Sequence, residues 1–235
     1  MAPPTNHELN AKREEYCVSI TPDRKYYRCG NTWIKRSLRP TEWQQHNGFI
    51  YVPMLNMQRV INEGACLKFL AERTDIPLPK FYACFEDDGA GCLVTEYVEG
   101  VGMNDLDQEQ QKVVTQELQK HVETLKTLTS NTWGGPSGLV LPPYRLMRRS
   151  DGRPWRMRPR EEHNLVFCHN DLSANNVIVD PDSLKIKAII DWEYSGFFPP
   201  EFESNFYTRP GPSVALPGEV DDVDMLMGII EKEKM

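Results

Sequence analysis

The stretch that most constrains this chain is CHNDLSANNVIVDPDSLKIKAIIDWE, residues 168–193. Two short apolar runs, VIV and IKAII, are separated by the turn sequence DPDS, which predicts two strands lying side by side. Asn176 stands just before the first run and Asp191 just after the second. A hairpin brings those two residues to the same end, and Asp171 lies on the loop that leads there. An amide oxygen and a carboxylate converging in this way are hard oxygen ligands, suited to Mg²⁺ that keeps waters and phosphate oxygens in its shell. A further carboxylate beside them is placed to take a proton from an attacking hydroxyl. Taken singly, an H-x-D-x-x-x-x-N spacing is also ordinary loop chemistry, so the rest of the chain has to decide.

The 235 residues suffice for one sizeable core or two small lobes, and 40% hydrophobic with 26% charged residues is ordinary for a globular protein. A net charge of -7 argues against a general nucleic-acid binder, which needs a basic face. The N-terminal MAPPTNHELNAKREEY lacks the apolar run of a signal peptide, and no stretch approaches the length of a membrane span. Six cysteines (Cys17, Cys29, Cys66, Cys84, Cys92 and Cys168) form no CxxC pair, which reads as free thiols in a reducing compartment. A cytoplasmic protein without membrane or nucleic-acid partners is the expectation.

Along the chain, YCVSI (16–20), KYYRC (25–29) and TWIKRSL (32–38) read as an opening antiparallel meander. Residues 56–74 carry apolar spacing for a helix ended by IPLP, and KFYACFED (80–87) with GCLVTEYV (91–98) flank the hairpin turn DGAG. EGVGMN (99–104) reads as a glycine linker. Residues 105–129 show the clearest helical period, from Leu106 through Val114, Leu118, Val122 and Leu125 to Leu128. An irregular stretch (130–163) with seven arginines between Arg145 and Arg160 follows, and a short helix is predicted from about Asp221 to Glu233. The result is an α+β chain: a small sheet-and-helix lobe (1–98) joined to a reduced, mostly helical lobe (99–235), an arrangement that forms a cleft.

HNDLSANN and IIDWE resemble the catalytic and metal-binding segments of the aminoglycoside phosphotransferase family, and most closely its fungal phosphotransferase-like members, relatives of the protein kinases. The likeness extends upstream. TWIKRS is similar to the strand carrying the ATP-phosphate lysine, NEGACLKFLAERTDIPLPKFYACFED to the helix and strand that follow it, and CLVTEYVEG to the segment entering the hinge. This implies a protein-kinase-like two-lobed fold and ATP- and Mg²⁺-dependent transfer of a γ-phosphoryl group to a hydroxyl of a small-molecule acceptor. It implies Asp171 as catalytic base, Asn176 and Asp191 as Mg²⁺ ligands, and His169 as a support of the loop. It further implies Lys35 on the α- and β-phosphates, Glu63 as its helix partner, Thr95 at the back of the pocket, and backbone bonds to adenine from Glu96 C=O and Val98 N–H.

Two features depart from the pattern. No GxGxxG precedes Lys35, so Ser19 and Thr21 around the TPDR turn are the available phosphate-covering groups. The regions that build the acceptor site in relatives are short here, leaving room for a second copy in a homodimer. Neither a D-F-G nor an A-P-E segment is present, which disfavours a protein kinase. A kinase-like binding protein with weak or no turnover is the other alternative. The arginine run reads as a solvated loop, with attraction of an anionic substrate as the second option. Glu193, Glu201 and Glu203 are candidates for meeting a cationic acceptor or are surface charges.

Overall fold

A computed structural model describes residues 14–46 and 48–235. Strands β1 (Cys17–Ile20), β2 (Arg24–Cys29) and β3 (Thr32–Ser37) form the opening meander. The short pair β4 (Gln45–His46) and β5 (Phe49–Ile50) precedes helix α1 (Asn56–Arg73), after which β6 (Phe81–Asp87) and β7 (Ala90–Glu96) close a five-stranded sheet of order β1-β2-β3-β7-β6. Every neighbouring pair in it is antiparallel. Lys35 stands opposite Leu93 in the β3–β7 register, which puts the middle of β3 at the centre of the sheet.

Helix α1 lies against this sheet through Val60, Leu67 and Leu70. Gly64 permits the close approach: a Cβ there would stand 2.5 Å from Cys84 Sγ. The helix also packs against the turn Trp192–Tyr194 of the second lobe, which makes it the joint between the two halves.

The chain leaves β7 through Gly100, where a Cβ would stand 2.6 Å from the Val179 carbonyl oxygen, so this crossing needs glycine. It then pairs as β8 (Val101–Gly102) with the hairpin β11 (Val177–Val179) and β12 (Ile186–Ile189) in the order β12-β11-β8. Helix α2 (Gln108–Thr127) begins later than the apolar period alone suggests, because Asp107 caps it. The Asp107 carboxylate accepts from Gln110 N–H at 2.9 Å while the Gln110 side chain accepts from Asp107 N–H at 3.1 Å. Its Val114, Leu118, Val122 and Leu125 are buried, each contributing roughly 1.5–3 kcal/mol of burial energy.

A third sheet, β13-β10-β9, is built from β9 (Thr129–Ser130), β10 (Leu165–Cys168) and β13 (Gly196–Phe198). Helix α3 (Val223–Glu233) ends the chain. The helix of the second lobe is thus concentrated in α2 and α3, and short strands and 3-10 turns supply the remainder. The main core runs across both lobes, from Leu70 and Leu93 to Phe167 and Trp192. A second cluster, with Trp133, Phe198, Phe202, Leu226 and Ile230, seats α3.

The arginine run is a solvated stretch at Arg148, Arg149, Arg153, Arg156 and Arg158, which are exposed, but not at its two ends. Arg145 is buried, with its Nε 3.0 Å from both oxygens of Asp222 and an Nη donating to the Phe202 carbonyl at 2.8 Å. Arg149 reaches Asp224 at 3.1 Å, and Arg160 pairs with Glu233. Arg145 and Arg160 clamp the two ends of α3 onto the lobe, while the Arg149–Asp224 pair is exposed. Among the described residues no helix is long and apolar enough to cross a membrane.

Candidate active site

The β11–β12 register pairs Val177 with Ile189, and Ile190 N–H donates to the Asn176 carbonyl at 2.9 Å. Asn176 and Asp191 therefore flank the same end of the hairpin. The Asn176 side chain donates to the Asp171 carbonyl at 2.7 Å, which ties the loop before β11 to its end. Two residues near this end have left-handed backbones, Asn170 (φ 66°) and Asp191 (φ 67°), a conformation that Asn and Asp tolerate best among residues with a Cβ. Asn170 is held there by a bond from its amide to the Tyr194 carbonyl at 3.0 Å.

His169 supports this loop. It is fully buried, packs against Trp192 with ring centroids 4.4 Å apart and planes tilted by 44°, and meets the Ile190 carbonyl through Nε2 at 3.0 Å. Burial holds its pKa down to about 4, so the ring is neutral and donates that bond. Glu203, from the sequence a candidate acceptor contact or surface charge, instead lies under the loop and accepts from the backbone N–H groups of His169 and Asn170.

Lys35 Nζ is 2.7 Å from Glu63 Oε2, 2.5 Å from Asp191 Oδ1 and 4.0 Å from Glu193 Oε2. Burial works against the ammonium, but Asp191, Glu63 and Glu193 more than reverse it, so its pKa stands well above the usual lysine value. Burial pushes the Glu63 carboxyl up against the pull of Lys35, with Asp191 and Glu193 adding like-charge repulsion.

Glu193 is a correction to both of its expected roles. It is buried, with one oxygen 2.7 Å from Arg24 and the other 3.0 Å from Arg59. Burial opposes its charge, and Arg59, Arg24 and Lys35 overcome that, holding its pKa far below the usual range. Arg59 also reaches Asp23 at 2.6 Å and the Tyr194 hydroxyl at 2.5 Å. Asp23 sits in the turn between β1 and β2, so this ion network ties that turn to α1. The Thr21 hydroxyl accepts from Arg24 N–H at 3.0 Å and serves the turn itself. Arg59 and Glu193 were not singled out as a pair. The available signal was that Arg59 precedes Glu63 by four residues, one helical turn, and so shares its face.

A cavity of about 290 Å³ opens beside Lys35. Of the eight expected site residues, six line it: Lys35, Glu63, Thr95, Glu96, Val98 and Asp191. Trp33, Leu93 and Ile178 supply apolar walls suited to a flat heterocycle. Thr95 is buried at the back, its hydroxyl donating to the Glu96 carbonyl at 3.0 Å. Asp171 and Asn176 stand outside this cavity, on the loop beyond Asp191. Burial and the neighbouring Asp191 charge raise the Asp171 carboxyl well above the usual value.

Oxygens of Glu63, Asp191 and Glu193 lie within 4.8 Å of one another, a grouping that resembles a metal site. Glu63 and Glu193 are nearly covered and already neutralised by Lys35, Arg24 and Arg59. The Asp191 side chain keeps 32% exposure, so it has free oxygen to offer a cation. With the Asn176 amide at the same hairpin end, the donor set fits a hard divalent ion.

Comparison with known proteins agrees with this geometry. A model of the phosphotransferase enzyme family matches residues 53–206. A segment of 52 residues is 35% identical to streptomycin 3''-kinase of Streptomyces griseus; it covers 22% of this chain and 19% of that protein, about a fifth of the relative's length. The structure of aminoglycoside phosphotransferase APH(3'')-Id from Streptomyces rimosus superposes with a TM-score of 0.52 at 17% identity, covering 82% of this chain and 76% of that one. A thermostable mutant of aminoglycoside phosphotransferase APH(4)-Ia, in apo form, gives a TM-score of 0.52 at 14% identity over 80% of this chain and 69% of that one. The former protein has been solved with ADP and streptomycin, and the latter with AMP-PNP and hygromycin B. These structures share the kinase-like fold, and with a family model matched over more than half its length, the chain belongs to the phosphotransferase enzyme family.

Proposed function

We propose that this chain transfers the γ-phosphoryl group of ATP to a hydroxyl group of a small molecule. The observation that carries the reading is the double contact of Lys35, to Glu63 and to Asp191, at the mouth of a cavity walled by Thr95, Glu96 and Val98. Adenine would enter between Leu93 and Ile178 and bond the backbone at Glu96 and Val98. Lys35, fixed by Glu63, would face the α- and β-phosphates. A Mg²⁺ ion held by Asp191 and Asn176 would neutralise charge on the phosphate oxygens. Asp171 would accept or orient the proton of the attacking hydroxyl. Most of the rate enhancement in such a site comes from positioning and preorganised charge.

The acceptor would take a second cavity of about 460 Å³, bordered by Arg59, Tyr144, Arg148, Tyr194 and Val214. Its mixture of tyrosines and charged groups suits a polar, hydroxylated molecule. The lobes would hinge after Val98, and a second copy completing the shortened acceptor lobe would appear as a dimer by light scattering.

The test is calorimetric binding of ATP, with and without Mg²⁺, to the wild type and to Asp191→Ala. Mg²⁺-dependent binding that disappears in the variant is the expected result. Absence of binding to the wild type, or unchanged Mg²⁺ dependence in the variant, would overturn the assignment.

A further inference from the structure

The hairpin before α1 exposes apolar side chains that the described residues leave uncovered. Strands β4 and β5 pair Gln45 with Ile50 and His46 with Phe49. Phe49 is 79% exposed and Ile50 60%, and the exposure continues through Tyr51 and Val52. Four consecutive apolar residues facing water are a fault in a globular surface unless they serve a purpose. At the turn, Gly48 has φ +83° and a Cβ there would meet no atom within 4 Å, so the hairpin tip projects clear of the described residues.

The neighbouring surface is cationic. Tyr51, Met54 and Arg148 border one cavity, and a Cβ at Gly152 would stand 4.0 Å from Met54, so the arginine stretch starts beside the segment that leaves the hairpin. Along that stretch Arg148, Arg149, Arg153, Arg156 and Arg158 are exposed, while Trp155 and Met157 are buried between them. Arg149 meets Asp224 at 3.1 Å and Arg153 meets Asp151 at 3.4 Å. Arg148, Arg156 and Arg158 have no carboxylate partner among the described residues. The carboxylates nearer the hairpin are engaged, Asp23 by Arg59 and Glu42 by Arg36 and Lys25. Asp221, which lines the same cavity as Arg148, accepts from Val223 N–H at 3.0 Å. In a chain of net charge -7, a cationic stretch beside an exposed apolar run is a local exception.

We propose that this surface docks on a membrane rich in anionic phospholipid. Phe49, Ile50, Tyr51 and Val52 enter the boundary between headgroups and acyl chains, and the neighbouring arginines meet lipid phosphates. The side chains select this occupant. Ile50 and Val52 have no ring to stack on a base, so a nucleic acid gains little from them. Four projecting residues are also few against the roughly 20–30 a side of a stable protein interface. Hydrocarbon accepts them from any direction, and cations flanking them add attraction to a negative surface. Peripheral docking needs neither a signal peptide nor a spanning helix, and it revises the expectation of a chain without a membrane partner. It does not depend on phosphoryl transfer.

The experiment mixes the full chain with vesicles of phosphatidylcholine alone, or of phosphatidylcholine with phosphatidylglycerol, and reads the fraction that sediments with them. Binding to the mixed vesicles and not to the neutral ones is expected, weakening as salt rises. Phe49→Ser combined with Ile50→Ser should weaken it by at least about tenfold, and Arg148→Gln by about fivefold. These side chains are exposed, so the variants should melt with the wild type; Val52→Ser is a milder second variant read in the same way. Wild type that stays in solution with the mixed vesicles, binds neutral vesicles equally, or binds undiminished when both apolar residues are serine overturns the proposal. Light scattering without vesicles tests another occupant: a dimer that the double variant dissolves would give the apolar run to a second copy, and overturns it as well.

Discussion

Glu193→Gln isolates the buried ion network from the chemistry around it. The side chain keeps its shape, but one of its two oxygens becomes an amide directed at a guanidinium. Arg24 loses its one carboxylate partner among the described residues, while Arg59 retains Asp23 at 2.6 Å. The Arg24 and Arg59 side chains are 3% and 6% exposed, so water cannot replace what is lost. Removing one partner of a buried pair costs about 3–5 kcal/mol. In a chain of this size each kcal/mol shifts the melting temperature by roughly 2–4 °C, which gives a fall of about 10 °C. Differential scanning calorimetry at low and at molar salt measures it, and the difference from wild type should barely change with salt because the pair is shielded from solvent ions. A fall under about 3 °C, or a difference that vanishes in molar salt, would show that the guanidiniums are solvated and that the network does not hold the β1–β2 turn to α1.

Three other perturbations test separate parts of the account. His169 has its pKa held down to about 4 from 6.5, so its contribution to stability is complete above pH 6.5 and is lost as pH falls toward 4. The wild type should therefore lose about 3 kcal/mol more than His169→Gln between pH 7 and pH 4, measured by urea unfolding; parallel curves would mean the ring takes up a proton in the folded protein. Gly64→Ala forces a Cβ to within 2.5 Å of Cys84 Sγ, and should cost about 1–3 kcal/mol in urea unfolding as well as weakening ATP binding through the adjacent Glu63; full stability would show that α1 can slide on the sheet. Arg145→Met should remove about 1.5–3 kcal/mol of charge-assisted bonding and speed amide exchange across α3 while leaving α2 unchanged; unaltered exchange in α3 would return the arginine run to a solvated role.

Much of this fold was legible because local rules and tertiary outcome coincide. The DGAG turn, the VIV–DPDS–KIKAII hairpin and the α2 period each fix their own geometry within a few residues, and the structure places strands and helix there. Helix α2 starts at Gln108 instead of Asp105 because capping chemistry, not apolar spacing, decides where a helix begins. For the expected site residues the resemblance supplied the order along the chain, and six of them line one cavity.

Charged residues were the least legible. A glutamate or arginine has no periodic signature, and its role depends on what the rest of the chain packs against it. Glu193, Glu203 and Arg145 read as surface groups or substrate contacts, and all are paired or bonded within the fold. By itself the sequence determined the hairpin end where Asn176 and Asp191 meet, the strand that carries Lys35, and the helix that carries Glu63. Those follow from backbone geometry over short spans. Only the tertiary structure decided which carboxylates surround Lys35 and which arginines hold them, because burial and charge pairing are set by residues distant in the chain.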